Sequence, residues 1–270
     1  MRSCPAVTDL PACLYEPDGD RWLPTRLTSG PWDPALQHAG PPAALLARAA
    51  EARSGLDGGQ TVRLSYDILG PVPVAPLRVD ARTLRPGRRV EQVEATLSAA
   101  DGARGLLMRL TAWRMRAAAV EGVEAAADPP PPGPETGSEA AFAWWADEVA
   151  YHRALEWRCV AGAVDAPGPA TVWTRLKVPL VAGEPATPLQ RLLVMADAAS
   201  GVSAVLDWTR FTFVNVDLGI HLARAPEGEW MAMDAVTRPG PAGAGLCTSV
   251  LSDARGRVGV STQSLLIAPR

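Results

Sequence analysis

Between Val62 and Ile68 the chain alternates, with Val62, Leu64, Tyr66 and Ile68 apolar and Arg63, Ser65 and Asp67 polar between them. A period of two is that of a strand with one buried face. Residues 79–84 continue it. After the turn Arg85-Pro86-Gly87-Arg88, longer alternating runs at 90–99 and 105–115 are joined by the hairpin signal Asp101-Gly102. Ahead of these strands, 40–54 predicts a helix, with Pro41 and Pro42 at its first positions, strong helix formers after them and Gly55 as a stop. The first half is therefore expected to be one helix and an antiparallel meander.

The pattern then dissolves into Ala and Glu and the run Pro129-Pro130-Pro131-Pro132-Gly133-Pro134, which fits neither helix nor ladder and reads as an extended linker. Its place divides the chain into a first unit at 1–117, a linker at 118–139 and a second unit at 140–270. The second unit repeats the order less literally, with a strand at 171–178, a helix at 188–200, and strands at 210–217, 230–236, 246–251 and 258–267. Helix-plus-meander occurring twice implies a duplicated domain, since there is no short repeat period of the solenoid kind.

The helix at 188–200 has Thr187 as N-cap, Pro188 in its first turn and Gly201 placed to end it. Leu189, Leu192, Leu193, Ala196 and Ser200 share one stripe, and Val194, Met195, Ala198 and Ala199 cover most of the rest. A helix apolar on nearly every side is one wrapped by a sheet. The fold class expected is α+β, two helix-wrapped antiparallel units.

With 47% hydrophobic and 20% charged residues over 270 positions, each half can bury a core. The net charge of −3 and the single lysine, Lys177, offer no basic run to track a phosphate backbone, so nucleic acid is not an expected partner. Pro5, Asp9, Pro11 and Glu16 break up the N-terminus where a signal peptide needs an apolar stretch, and no run approaches ~20 apolar residues. Membrane insertion is thus not expected, and a cytoplasmic location is. Cys4, Cys13, Cys159 and Cys247 are widely spaced and read as reduced thiols. His38, His152 and His221 lack metal-ligand spacing, so no metal is expected.

Asp197, near the end of the apolar helix, stands where both the helix dipole and its neighbours disfavour a carboxylate. Desolvation there would raise its pKa toward that of a general base, unless donors from nearby strands hold it ionised. The bland alternatives are a side chain reaching solvent or a salt bridge to an arginine. Asn215 shares a strand face with Phe211 and Phe213, where its amide can serve an oxyanion or a water, or simply cap the strand end. Gln263 is a second amide in apolar company. The amide of Gly40, at the start of the first helix, can point at an oxyanion, and His38 can position a substrate or pack on Trp32.

These residues resemble the double-hotdog acyl-CoA thioesterases, the thioesterase II type and its actinobacterial thioesterase-like branch. The resemblance lies in HAGPPAALLARAAE (38–51), SYDILGPVPVAPLRVDARTLRPGRRV (65–90), TAWRM (111–115), EWRCVAG (156–162), VWTRLKVPLVAGEPATPLQRLLVMADAASG (172–201), FTFVNVDLGIHLARAPEGEW (211–230) and GRVGVSTQSLLI (256–267). It implies a double hotdog that hydrolyses acyl thioesters of coenzyme A or a related carrier, without a cofactor. In that family a helix Asp, a hydroxyl or amide residue on the next strand and a Gln on the last strand hold the hydrolytic water, roles that would fall on Asp197, Asn215 and Gln263. Thioesterase II has Thr where Asn215 stands and Gly-Gly where this chain has Ala39-Gly40, and Ala198-Ala199-Ser200 replaces bulkier residues of the thioesterase-like branch. The rival enzyme on this fold, a hydratase or dehydratase, would use a His–carboxylate pair, for which His38 is the one histidine near a helix start. A non-catalytic acyl-thioester binder is the other alternative, and both monomers and homo-oligomers suit a fused double hotdog.

Overall fold

In the computed structural model, which describes residues 10–102, 104–123, 128–142, 145 and 150–270, the alternating runs form strands and the two apolar runs form helices. The first half has a hairpin of β1 (Tyr15–Asp18) and β2 (Arg21–Pro24), then α1 (Gly40–Arg53), β3 (Gly59–Ile68), β4 (Leu77–Arg85), β5 (Val90–Ala99) and β6 (Leu106–Arg116). The expected meander holds for β4, β5 and β6. β3 departs from it: it lies on the far side of β6 and leaves its other edge for the second half.

The second half has β7 (Ser138–Glu139), β8 (Leu155–Ala161), β9 (Ala170–Leu176), α2 (Pro188–Ala196), the short α3 (Ala199–Val202), β10 (Phe211–Asn215), β11 (Asp217–Leu222), β12 (Trp230–Pro239), β13 (Ala244–Asp253) and β14 (Gly256–Pro269). β7 takes the last two residues of the expected linker and pairs with β8. The Trp173 indole donates to the Pro132 carbonyl at 2.7 Å, tying the proline-rich run to the second half. Among the described residues Cys13, Cys159 and Cys247 are free thiols; Cys4 lies outside them. No helix among the described residues is long and apolar enough to cross a membrane.

Antiparallel pairing of β3 with β11, from Asp67 opposite Asp217 to Arg63 opposite His221, joins the halves at the centre of one 14-stranded sheet. Its order is β1-β2-β4-β5-β6-β3-β11-β14-β13-β12-β9-β8-β7, with β10 also on β14. α1 packs against β4 and β5, α2 against β12 and β9, and the two helices pack on each other. Leu45 and Leu46 of α1 and Leu192 and Leu193 of α2 are buried in the shared core. A second junction ties the first half's edge strand to the loop after β9: the Leu14 and Tyr15 amides donate to the Pro179 and Leu180 carbonyls at 3.1 and 2.9 Å. Each half is thus a sheet curved around a helix, and the two share one sheet and one helix-lined core.

Candidate active site

α2 begins with a reciprocal cap, in which Thr187 Oγ1 accepts from the Gln190 amide at 3.2 Å and Gln190 Oε1 accepts from the Thr187 amide at 3.1 Å. Its far end differs from expectation. The predicted helix over 188–200 breaks after Ala196, with Asp197 as the C-cap of α2, and resumes as α3. Gln263 on β14 bridges the break: its Nε2 donates to the Asp197 carbonyl at 2.9 Å and its Oε1 accepts from the Ser200 amide at 3.2 Å. The side-chain amide substitutes for a backbone partner at each end, so the buried break leaves neither group unsatisfied. Gln263 is fully buried and is not part of the cavity wall, so it touches Asp197 and not the space where a substrate would lie.

The break aims the Asp197 side chain at donors from both halves. Oδ1 accepts from Asn215 Nδ2 at 2.8 Å, with Gln263 Nε2 at 3.4 Å. Asn215, the last residue of β10, is itself fixed by donating to the Asp217 carbonyl at 3.2 Å. Oδ2 lies 3.0 Å from His38 Nδ1, and the Ala39 amide also bonds the carboxylate. Burial pushes the Asp197 carboxyl pKa up, but the His38 imidazole and the Asn215 amide outweigh it and hold the pKa below the usual aspartate value. Of the two outcomes the sequence left open for Asp197, a pKa raised by desolvation or a carboxylate held ionised by donors, the second is the one found.

His38 comes from the loop ahead of α1, a loop that Gln37 secures. Tyr15 donates to Gln37 Oε1 at 2.6 Å, and Gln37 Nε2 donates to the Pro73 carbonyl at 2.7 Å. The imidazole does not pack on Trp32 as a bland reading would have it. It stacks flat on Tyr151, with ring centroids 3.7 Å apart and planes 3° off parallel, and the Tyr151 hydroxyl donates to the Val194 carbonyl of α2 at 2.6 Å. The Gly40 amide lies 3.2 Å from His38 Nδ1, and Gly40 does not line the cavity, so its expected role as an oxyanion donor has no geometric basis. Its need for glycine is steric, because a Cβ there would collide with the Val194 carbonyl oxygen where α1 crosses α2.

Asp197, His38, Asn215 and Ser200 sit on the wall of a cavity of about 340 Å³ whose other walls are mainly apolar, with seven Trp, Phe and Tyr side chains among them. Trp32, Trp208 and Phe213 form one cluster, with centroids 4.7 Å apart for the tryptophan pair and 4.4 Å for Trp208 and Phe213. Phe142, Trp145 and Trp157 belong to a second, linked through Tyr151 and His152. Ser200 makes no side-chain hydrogen bond among the described residues, so its hydroxyl is available to a ligand. The sequence reading missed Tyr151, Ser200 and these walls. In the sequence pattern Ser200 falls on an apolar stripe, and the abundance of tryptophan is the available signal for the walls. The result is an apolar chamber whose wall carries the ionised Asp197 carboxylate, an oriented imidazole and a hydroxyl.

A sheet wrapped around each of two helices, with a polar centre where the helices meet, defines a double-hotdog protein. Residues 28–115 match the acyl-CoA thioesterase N-terminal domain and residues 120–267 the acyl-CoA thioesterase C-terminal domain. The chain belongs to the acyl-CoA thioesterase family, whose members are thioester hydrolases. No curated protein matches it in sequence. A candidate thioesterase II from Thermobifida fusca superposes with a TM-score of 0.72 at 20% identity, over 95% of this chain and 96% of that one. A hot-dog-fold protein of unknown function from Alicyclobacillus acidocaldarius gives 0.72 at 16% identity, over 95% and 96%. Acyl-CoA thioesterase II from Mycobacterium marinum gives 0.63 at 15%, over 91% and 96%. At such identities these likenesses establish the fold.

Proposed function

We propose that this chain hydrolyses an acyl-CoA or related acyl thioester by direct attack of a water held at the Asp197 centre, with the apolar acyl group in the apolar chamber. The observation that carries this is the convergence of Asn215, Gln263 and His38 on one buried, ionised carboxylate at the chamber wall. No arginine pairs with Asp197 among the described residues, which argues against a purely structural ion pair. Asn215 and Gln263 fix the carboxylate, whose charge favours removal of a proton from water, and the Ser200 hydroxyl is placed to donate to the developing oxyanion. Water attack needs no covalent acyl-enzyme.

A hydratase reading has one observation in its favour, the His38–Asp197 pair at 3.0 Å. Membership of the acyl-CoA thioesterase family weighs for hydrolysis. The test is one panel of short-chain, long-chain and aryl acyl-CoAs followed by thiol release, together with an enoyl-CoA followed by loss of its double-bond absorbance. Thiol release without hydration is expected. Hydration without thiol release would replace the reading by the hydratase one, and tight acyl-CoA binding without either would make the protein a binder.

A further inference from the structure

The Asp197 carboxylate is crowded with donors. Asn215 and Gln263 approach Oδ1, His38 approaches Oδ2, and the Ala39 amide bonds the group as well. A carboxylate offers about four lone-pair positions, so these donors leave little of it to take a proton from water. The side chain is also the less reachable of the pair, 4% exposed against 12% for His38. We propose that His38, through Nε2, takes the proton from the attacking water, and that Asp197 acts on the reaction through His38. This rests on the hydrolytic reading above.

The surroundings of Nδ1 decide the tautomer. It lies 3.0 Å from Asp197 Oδ2 and 3.2 Å from the Gly40 amide nitrogen, and it cannot donate to the first while accepting from the second. A bare Nδ1 would set its lone pair against a carboxylate. A proton there instead makes a charge-assisted bond, roughly twice as strong as the neutral one given up. Neutral His38 therefore carries its proton on Nδ1, and its lone pair on Nε2. Nε2 has no hydrogen-bond partner among the described residues, and the ring lines the cavity. Tyr151, stacked on the imidazole and anchored to the Val194 carbonyl, is a positioning residue that keeps the ring from turning. The titratable groups facing His38 from the elements packed on it are Asp197 and Tyr151, and His152 and Asp33 line the same cavity.

In the step that follows, the water oxygen bonds to the thioester carbonyl carbon as Nε2 takes one of its protons, and the carbonyl π pair moves to oxygen. Collapse re-forms the carbonyl and breaks the carbon–sulfur bond. The sulfur leaves with that electron pair and receives the proton from Nε2, giving free acid and thiol. Asp197 balances the imidazolium in between.

The test uses the full chain and the acyl-CoA that the wild type turns over best. His38→Gln is expected to lower kcat by about 10²-fold or more with KM little changed, and added imidazole is expected to restore part of the activity of His38→Ala. The wild-type kcat/KM should fall on the acid side at a pH above the aspartate range, ~4, a limb absent from the residual activity of His38→Gln. Were Asp197 the direct base, the wild-type rate would hold down to below that range. A wild-type kcat in folded His38→Gln, or a wild-type acid limb within the aspartate range, overturns the assignment to His38 alone. A wild type that releases no thiol overturns the hydrolytic reading, and this assignment with it.

Discussion

Gly40 lies where α1 crosses the end of α2, and any side chain there meets the Val194 carbonyl oxygen, a backbone atom that cannot swing aside. Gly40→Ala should therefore part the helices, costing about 2 kcal/mol as overpacking does and lowering kcat by separating His38 from Asp197. Urea denaturation beside thiol-release kinetics checks both effects. Asp197, Asn215 and Gln263 were legible in the sequence as polar residues in apolar company. Their division of labour was not. Whether burial or donors win at Asp197 depends on His38, which lies in the other half of the chain, so that no local pattern shows the two to be in contact. Gln263 reads as an amide facing a ligand until its two backbone partners are known.

The break between α2 and α3 is the element that shapes the site. A continuous helix through 200 fits the apolar pattern of 188–200, which records burial and is blind to a side chain on β14 that takes over two backbone partners. Gln263→Leu keeps much of the volume and strands the Asp197 carbonyl and the Ser200 amide, at about 1–3 kcal/mol for each unsatisfied group. A lower melting temperature is expected, with kcat falling as Asp197 loses its setting. Unchanged melting and kcat would show that the break holds itself. At the end of α1, the first half has different chemistry: Glu51 accepts from Thr61 at 3.4 Å, and burial pushes its pKa up while Arg114 and Thr61 pull against that. Duplication repeated the scaffold without repeating the Asp197 centre. β3 to β6, β9, β10 and β12 to β14 were legible as strands, β8 and β11 were not, and β1, β2 and β7 are too short to show a period.

Across the whole molecule, the sequence contains the helix-plus-sheet unit twice, but not the pairing of β3 with β11 that makes one sheet of two, because strand order depends on edges and not on periodicity. Among the described residues, two buried carboxylates, Asp197 and Asp253, have depressed pKa values. At Asp197, burial is outweighed by His38 and Asn215. At Asp253, burial is outweighed by Arg224, bonded at 2.6 and 2.5 Å, and by the Glu227 and Arg255 amides. A depressed folded-state pKa contributes stability that is complete above the unfolded value, ~3.9 for Asp, and is lost as pH falls through the folded one. The urea midpoint should thus gain nothing from these two groups between pH 5 and 8 and should fall below about pH 4; a midpoint that rises in acid would contradict the ionised state of both. The central claim is that a water at the Asp197 centre hydrolyses an acyl thioester, and thiol release from acyl-CoA by wild type and by folded Asp197→Asn tests it most directly. Turnover by the wild type that drops by about 10²-fold or more in the variant is the predicted result, and equal turnover by the two would contradict it.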